Sequence, residues 1–300
     1  MGAATAPRLS TSGFALALRL GRVSNLPTVW TNTLAGIVLA GGAAGPGFTL
    51  ALLVAVSLYY VAGMYLNDAF DRDIDARERP ERPIPAGLVA AATVFAAGFG
   101  MLAAGFGLLV VLCYVDADGS TWGAGVAGLA LAAAIVLYDW RHKGNPLSPV
   151  LMGLCRVLVY LVAGLATTAA PAPALYLGAA LLLCYLVGLT YAAKFETRAR
   201  IDRLWPLAFL AAPFIYGAGA LADAVSGTFY VIFLAWVAYA LSFLIVPGRI
   251  DVPRAIGYLI AGISLLDAML IATHGQAALA ALAAAGFALT LLLQRYVPGT

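Results

Sequence analysis

Ten apolar runs, separated by short polar stretches, account for nearly the whole chain, at residues 24–44, 48–66, 88–113, 122–138, 148–169, 174–193, 206–222, 229–246, 255–273 and 277–295. They reach the roughly 17 to 25 residues that an α-helix needs to cross a hydrocarbon core. None shows the period-two alternation of an outer-membrane barrel. The pattern therefore predicts an all-α, polytopic transmembrane bundle of nine to ten spans in a single domain covering residues 1–300. The first run follows Arg8, Arg19 and Arg22 and leads at once into a second, with no cleavage-site polarity break, so it reads as an uncleaved first helix.

Composition agrees. The 300 residues are 63% hydrophobic and 10% charged, outside the range of soluble domains. Charge placement adds orientation, because cytoplasmic loops retain Lys and Arg. With ten spans, every Lys and Arg except Arg156 falls in the N-terminal segment, the even-numbered loops or the C-terminal end. Both termini and those loops are thus expected on the cytoplasmic side of a plasma or inner membrane. Nucleic acid is not an expected partner. Cys113, Cys155 and Cys184 are widely separated within apolar runs and read as packing residues.

One stretch breaks the oily pattern. "NDAFDRDIDARERPERPIPAG", Asn67 to Gly87, holds six carboxylates and four arginines. If the second helix continues through Asp75 and stops before Pro80, Asn67, Asp71 and Asp75 recur every four residues and share one face, with Asp68 beside them. Such oxygens suit Mg²⁺, which keeps several waters and shares its coordination with substrate phosphate. The alternative is a solvated helix end trading weak ion pairs. The prolines and glycine after Arg82 stiffen a turn that can hold that arginine over the acids.

The N-D-x-x-D-x-x-x-D spacing at Asn67, Asp68, Asp71 and Asp75, with the R-P-I-P-x-G turn after it, resembles the first signature of the UbiA superfamily of intramembrane prenyltransferases. "LGRVSNLPTVWTNTLAG" (Leu20 to Gly36) and "YDWRHKGNP" (Tyr138 to Pro146) support the likeness. The resemblance implies a helical bundle around a central cavity with a cytoplasmic cap of loops. It also implies Mg²⁺-dependent ionisation of a polyprenyl diphosphate and transfer of the allylic group to a small acceptor, often aromatic, within membrane lipid. Carried over, Asn67, Asp71 and Asp75 are metal ligands with Asp68 adjacent, and Arg141 or Lys143 contacts the diphosphate.

The second family motif, two aspartates four apart, is altered here to "TYAAKFETRARIDRLWP" (Thr190 to Pro206). Glu196 and Asp202 can serve a second metal across a bend. Alternatively Lys194 and Arg198, four apart, replace that metal by fixed positive charge on the diphosphate. A third reading has Glu196–Arg200 and Arg198–Asp202 as ordinary helix ion pairs. Arg156, a cation within a span, is expected to face a cavity or partner; it either binds substrate, with Tyr160 one turn on, or pairs with Asp267. Asn25 and Asn32 either line the cavity or bond between helices. His142 reads as a surface residue.

The expected activity is prenyl transfer. The alternatives are a lipid-diphosphate carrier or scaffold that keeps the fold without turnover, and a transferase with a phosphoribosyl-type donor.

Overall fold

A computed structural model describes residues 12–115, 122–193, 205–297 and 299. Among them are twelve α-helices and no strand. In order they are α1 (Gly13–Leu20), α2 (Leu26–Leu39), α3 (Pro46–Phe70), α4 (Arg72–Glu78), α5 (Ala91–Val115) and α6 (Trp122–Arg141). There follow α7 (Ser148–Leu165), α8 (Pro173–Ala193), α9 (Ala211–Gly217), α10 (Ala224–Ile245), α11 (Val252–Ala272) and α12 (Ala277–Gln294).

Each apolar run has a helical counterpart, but eight helices among the described residues are long and apolar enough to cross a membrane. The first and seventh runs fall short for local reasons. The first is trimmed at its start by Arg22, whose backbone is left-handed (φ 41°), and by a 3₁₀ turn at Val23–Asn25, leaving the 14 residues of α2. The seventh is interrupted: 3₁₀ turns at Trp205–Leu210 and Ala218–Ala222 flank the short α9. Pro206 and Pro213 withhold amide donors there, which breaks a continuous helical ladder.

Helices of equal hydropathy play opposite parts. The most apolar windows of α11 and α12 both average 2.0, yet 83% of the first is buried and 17% of the second. α12 turns its apolar side chains outward, where lipid can cover them. α11 packs against α2, α8, α10 and α12, and its buried Ser264 and Asp267 mark it as the interior helix. Small residues permit the close approaches. A Cβ on Gly36 of α2 would lie 2.6 Å from the Tyr160 carbonyl oxygen and 2.9 Å from Ala163 Cβ on α7, so these two backbones meet directly.

Two large apolar clusters result. One joins α8, α10 and α11 around Leu182, Phe233 and Leu266. The other joins α3, α5, α6 and α7 around Val56, Leu66, Leu109 and Leu131. The cavity described next is lined from both.

Candidate active site

The acid-rich segment departs from the expected continuous helix. α3 ends at Phe70 and the chain bends at Asp71 (φ −81°, ψ −3°) before restarting as α4. Two hydrogen bonds carry the four-residue phase across the bend: Asp71 N–H donates to the Asn67 carbonyl (3.0 Å) and Asp75 N–H to the Asp71 carbonyl (2.8 Å). Asn67 and Asp71 consequently line a cavity of about 330 Å³.

The other two acids are engaged by arginines. In the turn after α4, Ala86 N–H donates to the Arg82 carbonyl (2.9 Å), and Gly87 takes the left-handed conformation (φ 73°) that closes it. Arg82 Nη1 then reaches Asp75 Oδ2 (2.9 Å) and Asp68 Oδ1 (3.2 Å). Arg22 Nη2 reaches the same Asp68 oxygen (2.9 Å) and, more weakly, Asn67 Oδ1 (3.4 Å). Its strained backbone is held by the Tyr60 hydroxyl, which donates to the Arg22 carbonyl (3.1 Å). Asp68 and Asp75 thus fix two guanidinium groups at the cavity mouth.

Asp71 faces a different set of cations. His142 Nε2 lies 3.3 Å and Lys143 Nζ 3.5 Å from its Oδ2. Burial pushes its carboxyl upward, but the hydrogen bond and charge of His142, then Lys143 and Arg82, outweigh this and hold it below its ordinary value.

Across the cavity, α6 supplies Asp139. Asn67 Nδ2 donates to its Oδ1 (3.3 Å), while its Oδ2 is buried with no hydrogen-bond partner. An unpartnered carboxylate oxygen on a cavity wall calls for a ligand. The donor chemistry can be tested on this observation. Among the described residues no group of three His, Cys, Asp or Glu side chains could hold a metal ion by itself. Asn67, Asp71 and Asp139 all line the cavity, and hard oxygens in this number fit an open Mg²⁺ site completed by water and phosphate.

The remaining expectations divide. Asn25 lines the cavity, tied to Gln294 and to the Gly299 carbonyl. Lys143, Arg82 and Arg156 also line it. Asn32 and Tyr160 do not; both bind Asp267 in the interior. Arg141 is turned outward onto the Trp140 ring, 4.2 Å from its centroid. Lys194, Glu196, Arg198 and Asp202 lie outside the described residues. His142, expected at the surface, faces Asp71 and stacks on Tyr138. Arg22, Arg79, Tyr59, Tyr60, Tyr138 and Asp139 were not anticipated and line the cavity. A signal existed for one face of α6 and the residue just past its end: Leu131, Ile135, Tyr138 and His142 recur at steps of three and four.

Below this mouth the walls are oily, with Val29, Val56, Leu131, Ile135, Val159 and Ile263 among them. The fold and site define an integral membrane protein whose apolar chamber ends in a rim of fixed cations and oxygen donors. A model of the UbiA prenyltransferase family matches residues 29–201, and the chain belongs to that family.

The digeranylgeranylglyceryl phosphate synthase of Methanopyrus kandleri is 33% identical over 178 residues, covering 57% of this chain and 59% of that protein. That of Natronomonas pharaonis is 33% identical over 114 residues, 38% of each chain. The chain thus spans about three fifths or less of the length of these curated relatives. The fold resembles the apo structure of a UbiA homologue from Aeropyrum pernix, with TM-score 0.62 and 17% identity, covering 84% of this chain and 97% of that one. It also resembles an Archaeoglobus fulgidus UbiA homologue bound to GPP and Mg²⁺, with TM-score 0.53 and 17% identity, covering 92% and 99%.

Proposed function

We propose that this protein transfers an isoprenyl group from a polyprenyl diphosphate to a small acceptor within the membrane, with Mg²⁺ as cofactor. The observation that carries the reading is the pairing of Asn67, Asp71 and the orphan Asp139 oxygen with a ring of cations, all at one end of an oily chamber.

Asn67, Asp71 and Asp139 would hold the ion, which when bound supplies positive charge to a departing diphosphate. Arg22, Arg79, Arg82 and Lys143 add fixed charge on the same side. Asp68 and Asp75 hold Arg22 and Arg82 in place, so little reorganisation is needed as negative charge develops on the leaving oxygen. Lys194 and Arg198 are proposed to extend this cationic ring, with Glu196 and Asp202 as the competing second metal site. The apolar walls accept the prenyl tail and exclude water, while the Tyr59 and Tyr60 rings offer π-faces to an allylic cation. We place the cationic mouth on the cytoplasmic side, since basic residues are retained there.

The test uses protein in proteoliposomes with labelled geranyl, farnesyl, geranylgeranyl and longer diphosphates, and a panel of aromatic acids, quinone precursors and glycerol phosphates. Prenyl transfer to one acceptor class with diphosphate release supports the proposal. Donor binding without turnover across the panel overturns it in favour of a carrier, and turnover of a phosphoribosyl donor alone overturns the choice of donor.

A further inference from the structure

Deeper in the same cavity lies a second cationic pole that the ionisation chemistry does not use. Arg156 of α7 lines the cavity, with its guanidinium carbon 5.5 Å from the centroid of the Tyr60 ring. Tyr60 stands seven residues before Asn67 on α3, about 10 Å along the helix axis at 1.5 Å per residue. The ring beside Arg156 is therefore carried about two helical turns from the proposed metal donor Asn67.

Arg156 does not reach the carboxylate that balances it. Asp267 Oδ2 accepts from Thr31 Oγ1 (2.6 Å) and Asn32 Nδ2 (2.8 Å), and its Oδ1 accepts from the Tyr160 hydroxyl. Arg156 Nη1 donates instead to Asn32 Oδ1 (3.0 Å). Asn32 is thereby a relay whose amide nitrogen is fixed by Asp267 and whose oxygen is aimed at Arg156. Among the described residues the guanidinium forms no ion pair and this one hydrogen bond to a side chain, out of five N–H donors. A guanidinium in an apolar bundle, oriented from behind and stacked on an aromatic face, is built for an oxyanion that can accept two parallel hydrogen bonds.

We infer that Arg156 anchors an oxyanion of the acceptor, a carboxylate or a phosphate, so that its nucleophilic atom is presented toward the diphosphate end. The inference rests on the transfer reading, and it divides the cavity into a donor pole at the mouth and an acceptor pole at depth. Asn32 and Asp267 are positioning residues that act through the arginine. The sequence places this cation one turn before Tyr160, but the structure gives Tyr160 to Asp267 and leaves the arginine lining the cavity.

The experiment measures equilibrium binding to the full chain in nanodiscs with three probes: Mg²⁺ with inorganic pyrophosphate, 4-hydroxybenzoate, and sn-glycerol 1-phosphate. The expected result is that wild type binds one of the two organic oxyanions saturably. Arg156→Met weakens that probe about tenfold or more and Arg156→Lys by less, while pyrophosphate affinity stays within about twofold. Dependence on 4-hydroxybenzoate identifies a carboxylate source, and dependence on glycerol phosphate a phosphate source. Binding of neither organic probe, binding untouched by Arg156→Met, or equal loss of all three probes overturns the inference. Failure of wild type to bind Mg²⁺ with pyrophosphate would overturn the donor site instead, so the two failures are distinguishable. If Arg156→Met does not elute as folded protein, Arg156→Lys decides alone by the same comparison.

Discussion

Asp68 lies next to the proposed metal donors but has a different task, and replacing it by Asn separates the two. One oxygen of Asp68 holds Arg22 and Arg82 at 2.9 and 3.2 Å. Removing one partner of a buried ion pair costs about 3 to 5 kcal/mol. The two arginine side chains keep 18% and 15% exposure toward the cavity, which favours the lower figure. Tyr60 still holds the Arg22 backbone in the variant, so no relaxation offsets this. Asp68→Asn should therefore lose about 3 kcal/mol of stability, the lower end of that range.

Asp71→Asn is the control. Its partners are His142, charged only when protonated, and Lys143, 43% exposed; an exposed pair contributes at most about 1 kcal/mol, and the asparagine keeps an oxygen for the His142 hydrogen bond. Thermal unfolding in detergent, followed by a thiol-reactive dye, reads both variants, because Cys113 is buried and Cys155 and Cys184 are half-buried in the folded protein. Asp68→Asn should lower the midpoint clearly more than Asp71→Asn. Equal shifts, or the reverse order, would refute the assignment of Asp68 to the scaffold and Asp71 to the ligand.

Two further outcomes follow from the packing. Gly36→Ala places a methyl 2.6 Å from the Tyr160 carbonyl, so α2 and α7 must part; the same dye assay should show a loss of about 1 to 3 kcal/mol. Lys143→Ala should weaken pyrophosphate binding several-fold at low salt, whereas Arg141→Ala, whose side chain rests on Trp140, should leave it unchanged in the same titration.

The spans were legible because membrane helices write their length directly in hydropathy, and the acid cluster because charge is so scarce elsewhere. What hydropathy alone could not separate was inside from lipid-facing, as α11 and α12 demonstrate. Nor could spacing along one helix reveal a donor arriving from another. Asp139, on the last turn of α6, and His142, just past its end, both line the cavity, while Arg141, two residues after Asp139, is carried about 200° around the helix and leaves the site. Asn32 and Tyr160 stand off the cavity wall for a related reason: a buried carboxylate, Asp267, demands donors, and it recruits polar side chains from neighbouring helices.

On the proposed function, Asn67 and Asp71 serve a divalent cation that drives departure of the diphosphate. Pyrophosphate release from geranylgeranyl diphosphate, in the presence of an active acceptor, tests it most directly when wild type, Asp71→Asn and Glu196→Gln are each assayed with Mg²⁺ and with chelator. The expected result is release in wild type that chelator abolishes, near-complete loss in Asp71→Asn, and substantial retention in Glu196→Gln. Release that survives chelation, or equal loss in both variants, would contradict it.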